Sequence, residues 1–267
     1  MRTLHWIAAG AALAVLAPTA RTQERDDSFK WTGGIEAGRT IYVRNLNGAI
    51  RVESATGATA EVRAEKRWRR GDPKDVKITA SKTARGDILV CAIWEGRETR
   101  CDEDGYRSEG NDSWFNGRRN NDVSVDFTIL LPKGVKMDAS TVNGGLAISG
   151  ATAAVKGRTV NGSVEAASTS GPVNAKTVNG SIRVRAGAMG EGPLAYETVN
   201  GSITLELPDG LNADFEARTV NGSVISEDFP ITIQGRIDRR RIEGKIGKGG
   251  PELRVSTVNG SIRLRKL

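Results

Sequence analysis

A short phrase keeps returning in this chain. TVNGG opens at Thr141, and TVNGS opens at Thr159, Thr177, Thr198, Thr219 and Thr257. The steps are 18, 18, 21, 21 and then 38 residues. A degenerate copy, Arg241-Ile-Glu-Gly-Lys-Ile246, divides the long step into 22 and 16. A worn copy also lies upstream at Asn45-Leu-Asn-Gly-Ala-Ile50. A fixed period near 20 residues marks a repeat architecture, in which each unit buries its apolar face only against its neighbours. Such stacks build long ridged surfaces, which bind or scaffold.

Aligned on their Thr, the copies share an apolar place five residues on: Leu146, Val164, Ile182, Ile203, Val224 and Ile262. Polar residues mostly follow, and two places on stand Ile148, Ala166, Val184, Leu205, Ser226 and Leu264. Period two of this kind is a half-buried strand. A second inward column precedes each Thr by four places: Val155, Val173, Leu194, Phe215 and Leu253. Each repeat therefore offers two short strands joined through Asn-Gly, a pair suited to backbone angles near the left-handed region. Asn-Gly also makes hairpin turns in a meander. The period and the recurrence of identical residues favour stacking over the meander. Asn143, Asn161, Asn179, Asn200, Asn221 and Asn259 then form a structural turn ladder of bonded side-chain amides spaced at about 4.8 Å. A hairpin would also set Lys176 opposite Arg183, a costly like-charge pair. The expected fold is all-β: a β-solenoid, parallel β-helix-like, of stacked 18–22-residue coils, with a less regular N-terminal β region.

The rest of the chain divides around that core. Residues 1–20 read as an export signal, with Arg2, an apolar stretch from Leu4 to Leu16, and small residues at Pro18-Thr-Ala20. That stretch is too short to span a bilayer. Residues 21–37 read as a polar linker. Residues 38–140 form an N-terminal β region that includes a long polar loop at 102–121 and a strong strand from Val123 to Leu131. Residues 141–267 carry the repeats. Cys91 and Cys101 are the only cysteines. In an exported chain an even pair suggests a disulfide, here across a hairpin centred near Gly96.

Composition then removes reaction classes. The single histidine, His5, lies in the signal segment. Ser-His-Asp and Cys-His nucleophile systems and His-ligated metal sites are therefore excluded from the mature chain. No catalytic residue, cofactor site or metal site is assigned. Asp102-Glu-Asp104-Gly105 lacks the ligand spacing of a calcium loop. Net charge is +7, or +6 once Arg2 is lost, which suits an anionic envelope polymer, glycan or lipid surface as partner. Nucleic acid fits poorly with export and with only 5% aromatic residues. Candidate polymer contacts are Arg239, Arg240 and Arg241 in the degenerate copy, with the basic run Arg63–Arg70 and the pair Trp114-Phe115 as further candidates. Each also reads as ordinary solvated surface, or as an edge guarded against aggregation.

The run from Val123 through Pro132-Lys-Gly134 into Thr141-Val-Asn-Gly-Gly-Leu-Ala-Ile-Ser-Gly150 resembles the bacterial "putative adhesin" domain family of unknown function. The likeness spans about residues 38–267. It implies an all-β, β-helix-like fold in an envelope or extracellular setting, and no defined catalytic residues. The reading is thus an exported, non-enzymatic, adhesin-like protein that is periplasmic, cell-surface or secreted. The alternative is a carbohydrate-active β-helix enzyme of the polysaccharide lyase or hydrolase kind. Outward columns hold few carboxylates: Glu165 stands alone in its column, and Glu206 shares its place only with Glu227.

Overall fold

A computed structural model describes residues 27–94, 99–108, 121–233 and 238–267. The signal segment, the hairpin apex near Gly96 and Trp114-Phe115 lie outside these residues. Among the described residues the chain is all-β, with a single 3-10 turn at Pro73–Asp75. Two large sheets carry the fold. Sheet A has the spatial order β1 (Ser28–Gly34), β4 (Thr59–Arg67), β9 (Ser124–Leu131), β3 (Ile50–Ser54), β11 (Leu146–Ala151), β13 (Val164–Ser168), β15 (Ile182–Ala186), β17 (Ile203–Leu207), β23 (Ile262–Lys266), β19 (Val224–Ser226). Sheet B runs β20 (Ile231–Ile233), β21 (Arg241–Ile246), β18 (Ala213–Arg218), β22 (Glu252–Ser256), β16 (Leu194–Glu197), β14 (Val173–Lys176), β12 (Val155–Arg158), β10 (Lys136–Ser140), β2 (Thr40–Arg44), β6 (Ile88–Trp94), β5 (Val76–Lys82). A small pair joins β7 (Thr99–Cys101) to β8 (Tyr106–Ser108).

Each TVNG copy gives one strand to each sheet and pairs in parallel with a neighbouring copy. Val155 meets Val173 in sheet B, and Val164 meets Ile182 in sheet A. The inward columns from both sheets are buried and form one core. Burial of each aliphatic side chain contributes roughly 1.5–3 kcal/mol.

The corner between strands explains the repeated phrase residue by residue. The Thr hydroxyl is buried and donates to the Gly carbonyl of the adjoining coil, as from Thr159 to Gly144, Thr177 to Gly162 and Thr198 to Gly180, each at 2.8 Å. The Gly requirement differs from the expected one. No described non-Gly residue has positive φ, and among the corner glycines only Gly48 and Gly260 do. The cause is close stacking instead: a Cβ on Gly162 would lie 2.0 Å from the Gly144 carbonyl oxygen.

Several expectations are corrected. Residues 28–34, read as linker, form β1, which pairs antiparallel with β4. Phe29 and Trp31 alternate there with polar residues and pack against the core. Part of the expected loop 102–121 is β8, and β7 takes β8 as its partner rather than β6. The Cys91–Cys101 disulfide nonetheless joins β6 to β7. The degenerate copy is not a parallel coil. Its strand, β21, runs antiparallel between β18 and β20. The repeats also do not stack in chain order throughout. β22 and β23 insert between the strands of the fourth and fifth TVNG copies, so Asn200 neighbours Asn259 and Asn259 neighbours Asn221.

Candidate functional site

Two surface features recur coil after coil. The first is the corner row. Asn143 Nδ2 donates to Asn47 Oδ1 at 2.7 Å, Asn161 to Asn143, Asn179 to Asn161 and Asn200 to Asn179 at 2.8 Å. Asn259 then donates to Asn200 at 2.7 Å and Asn221 to Asn259 at 2.8 Å. Each inner amide of the row both donates and accepts along the stack, which gives the row a structural role. Beside it Val160, Val199, Val220 and Val258 are exposed.

The second feature lies on the outer face of sheet B. Strand register places Arg241, Arg218, Ser256, Glu197, Lys176, Arg158, Ser140 and Arg44 in one line across eight strands. All but Arg241, which begins antiparallel β21, stand just before a corner. A neighbouring line holds Lys156 beside Asn174 and beside Asp138. Where β12, β14 and β16 meet, the two lines border a groove of about 300 Å³. Lys156, Arg158 and Lys176 supply its cations, Asn174 an amide and Glu197 its one carboxylate. Glu197 accepts an ion pair from Lys176 at 2.6 Å. Arg158 reaches Asp138 through Nη2 at 3.1 Å, while its buried Nε has no acceptor among the described residues.

One end of the line is covered. Arg44 points outward yet is fully buried, because the β7–β8 pair folds over it. Arg44 Nη1 binds Asp138 at 2.9 Å, its Nη2 donates to the Glu103 carbonyl, and its guanidinium sits 5.3 Å from the Tyr42 ring centre. Tyr106 anchors the cover: its single O–H is shared between the Arg44 and Ala92 carbonyl oxygens, 2.7 and 2.6 Å away. Burial raises the Tyr106 phenol above its ordinary range, against the opposing pull of Arg44. The Cys91–Cys101 disulfide ties the same cover to β6.

The candidate contacts from the sequence fall unevenly. Arg241 lies in the sheet B line, paired with Glu243 and with Glu216. Arg239 and Arg240 are exposed at the turn before it, their carbonyls accepting from Val224 and Thr219. The structure does not bring these three to the groove. Within the basic run, Arg63 pairs with Glu61 and Arg67 with Asp126. The groove residues were missed, although a signal existed: the place before each Thr is Arg158, Lys176 and Arg218 in three of the repeats.

Carboxylates on the outer faces are mostly held by cations. Glu206 pairs with Arg185, Glu216 with Arg254, and Glu227 with Arg263 and Arg265. No group of three or more potential metal ligands occurs among the described residues. No described helix is long and apolar enough to cross a membrane.

The family model described as Toastrack DUF4097 matches residues 34–265. No curated protein matches the chain. A "putative cell adhesion protein" from Clostridium sporogenes is similar at 11% identity, with 90% of this chain and 100% of that chain covered and a TM-score of 0.45. A "putative adhesin" from Bacteroides fragilis is similar at 11% identity, with 90% and 97% covered and a TM-score of 0.32.

Proposed function

The chain belongs to the Toastrack DUF4097 family, and on that premise we propose that it is an exported, non-enzymatic, adhesin-like β-solenoid that binds anionic polymer at the cell envelope. The outer face of sheet B is the binding surface. The observation that carries this reading is the groove: three cations, Lys156, Arg158 and Lys176, border it with one carboxylate, and the Arg158 Nε has no acceptor among the described residues. The exposed ammonium groups of Lys156 and Lys176 can meet phosphate, sulfate or carboxylate oxygens with charge-assisted hydrogen bonds. Beyond Glu197 and Ser256 the line regains positive charge at Arg218 and Arg241, so an extended polymer can make several contacts at once. Arg239 and Arg240 add positive charge near the far end.

The test is retention of the mature protein on acidic polysaccharide and on anionic lipid, at low and high salt. Interactions between exposed charges are screened over about 8–10 Å at physiological salt, so retention should fall as salt rises. Lys156→Glu with Lys176→Glu should abolish retention, whereas Arg239→Ala with Arg240→Ala should only weaken it. Salt-independent retention, or retention indifferent to the Lys156/Lys176 pair, overturns the proposal. Release of unsaturated or reducing sugar ends by the purified protein would support the enzyme alternative.

A further inference from the structure

The last repeat of the chain occupies a place that its sequence position does not assign. Strands β22 and β23 form a coil wedged between two earlier ones, hydrogen-bonded on both sides in both sheets. Its removal would leave four strand edges facing an open slot. The phrase on the wedge and on both walls is the same, TVNGS, at Thr257, Thr198 and Thr219. The corner bonds it makes are those made anywhere else in the stack.

What distinguishes the wedge is charge. Along the outer face of sheet A the order is Arg185, Glu206, Arg265, Glu227, with Arg185 bound to Glu206 and Arg265 bound to Glu227 at 2.7 Å. Were the slot to close without the wedge, Glu206 and Glu227 would become neighbours, a destabilising like-charge contact. Arg263 also reaches Glu227, Arg254 reaches Glu216, and Lys266 reaches Asp209 at 3.0 Å. The slot is therefore acid-lined and the coil that fills it is basic.

We propose that this coil, residues 251–267, is exchangeable: it fills the same slot in a second copy of this chain, joining copies by mutual insertion. Every contact made within one chain is made identically between two, which is the condition for low-cost exchange. Strand addition of this kind draws affinity from the main-chain ladder and selectivity from side-chain pockets. Here Leu253, Val255, Ile262 and Leu264, all fully buried, are the side chains that the slot receives.

Two full-length chains with different tags, one Ser202→Cys and the other Ser261→Cys, test this after co-expression. Ser261 N lies 3.2 Å from Ser202 Oγ, so the engineered link forms only across a filled slot. The expected result is a 202–261 disulfide between differently tagged chains, rising with protein concentration. It should vanish when the Ser261→Cys chain also carries Leu264→Asp. Should that chain fail to fold, excess synthetic peptide of residues 249–267 serves as competitor and should lower the interchain link. The proposal is overturned if a single chain carrying both cysteines links internally while the mixed pair gives no link. An interchain link indifferent to the peptide also overturns it, since that link would arise from another contact.

Discussion

Between Lys136 and Leu207 the order of strands in each sheet is the order of the chain, whereas from Ala213 to Lys266 it is not. Both regions use the same corner, the same inward columns and the same ladder of amides. The difference shows that the repeated phrase encodes the ability to stack and says nothing about the partner. Partner choice falls to the variable positions. In the middle, one coil follows another because the connection is short and any neighbour fits. At the C-terminal end, an alternating series of Arg and Glu, and the separation of Glu206 from Glu227, favour an interposed coil. The antiparallel strands β21 and β20 then close sheet B and blunt its edge.

Core truncations should break both regions most strongly. Ile182→Ala in the middle and Leu264→Ala in the interposed coil each leave a cavity and should cost about 2–5 kcal/mol, read by denaturant unfolding. The comparison sharpens if Leu264→Ala also opens a separate early transition and Ile182→Ala does not. Arg183→Ala, on the solvent face, should cost less than about 0.5 kcal/mol. Gly162→Ala comes next. Its Cβ would meet backbone 2.0 Å away, and overpacking of this sort costs about 1–3 kcal/mol. An equal loss for Gly57→Ala, where nothing lies within 4 Å, would refute the stacking argument.

Tyr196 stands at the border between the regions, facing Val255 of the interposed coil. Its hydroxyl is buried without a partner among the described residues, and burial pushes its phenol above the ordinary value. Because the folded-state value is raised, the stability it contributes is complete below pH about 10 and is lost as pH climbs beyond it. Tyr196→Phe should flatten that alkaline loss and leave neutral stability unchanged or raised by about 1 kcal/mol. Arg265→Glu should lower stability by about 0.2–1 kcal/mol for each glutamate it faces, with partial recovery in high salt. The smallest effect belongs to Asp209, held below its ordinary value by the Lys266 side chain and the Gly210 amide. With a lowered folded-state value, its contribution is present above pH about 4 and fades as pH falls through that value. Proton titration by NMR would read it, and an unshifted Asp209 would contradict the seating of Lys266.

Much of this was open to a reader of the residues. The inward columns, the all-β class and the positions of the corner asparagines follow from a period of two inside a period near 20. The place of the last repeat was hidden for a physical reason: three copies with one phrase are interchangeable along the backbone, and charge pairs between distant strands decide among them. β1 was obscured because Ser28, Lys30 and Thr32 make the segment look polar, although Phe29 and Trp31 alternate with them. The groove was hidden because its residues come from three separate repeats and look like ordinary solvated positions in each. Arg44 gave no signal at all, since the pair that buries it follows some sixty residues later.

The amide row has a further consequence. All its hydrogen bonds point the same way, from Asn221 through Asn259, Asn200, Asn179, Asn161 and Asn143 to Asn47. Aligned amide dipoles add and polarise one another, by about 10–30% per bond. The stack is thus electrically directional along its length, in the manner of a helix but assembled from side chains. Its Asn47 end presents an N–H, and its Asn221 end a carbonyl oxygen, that the ladder itself does not use, so the row has unlike poles.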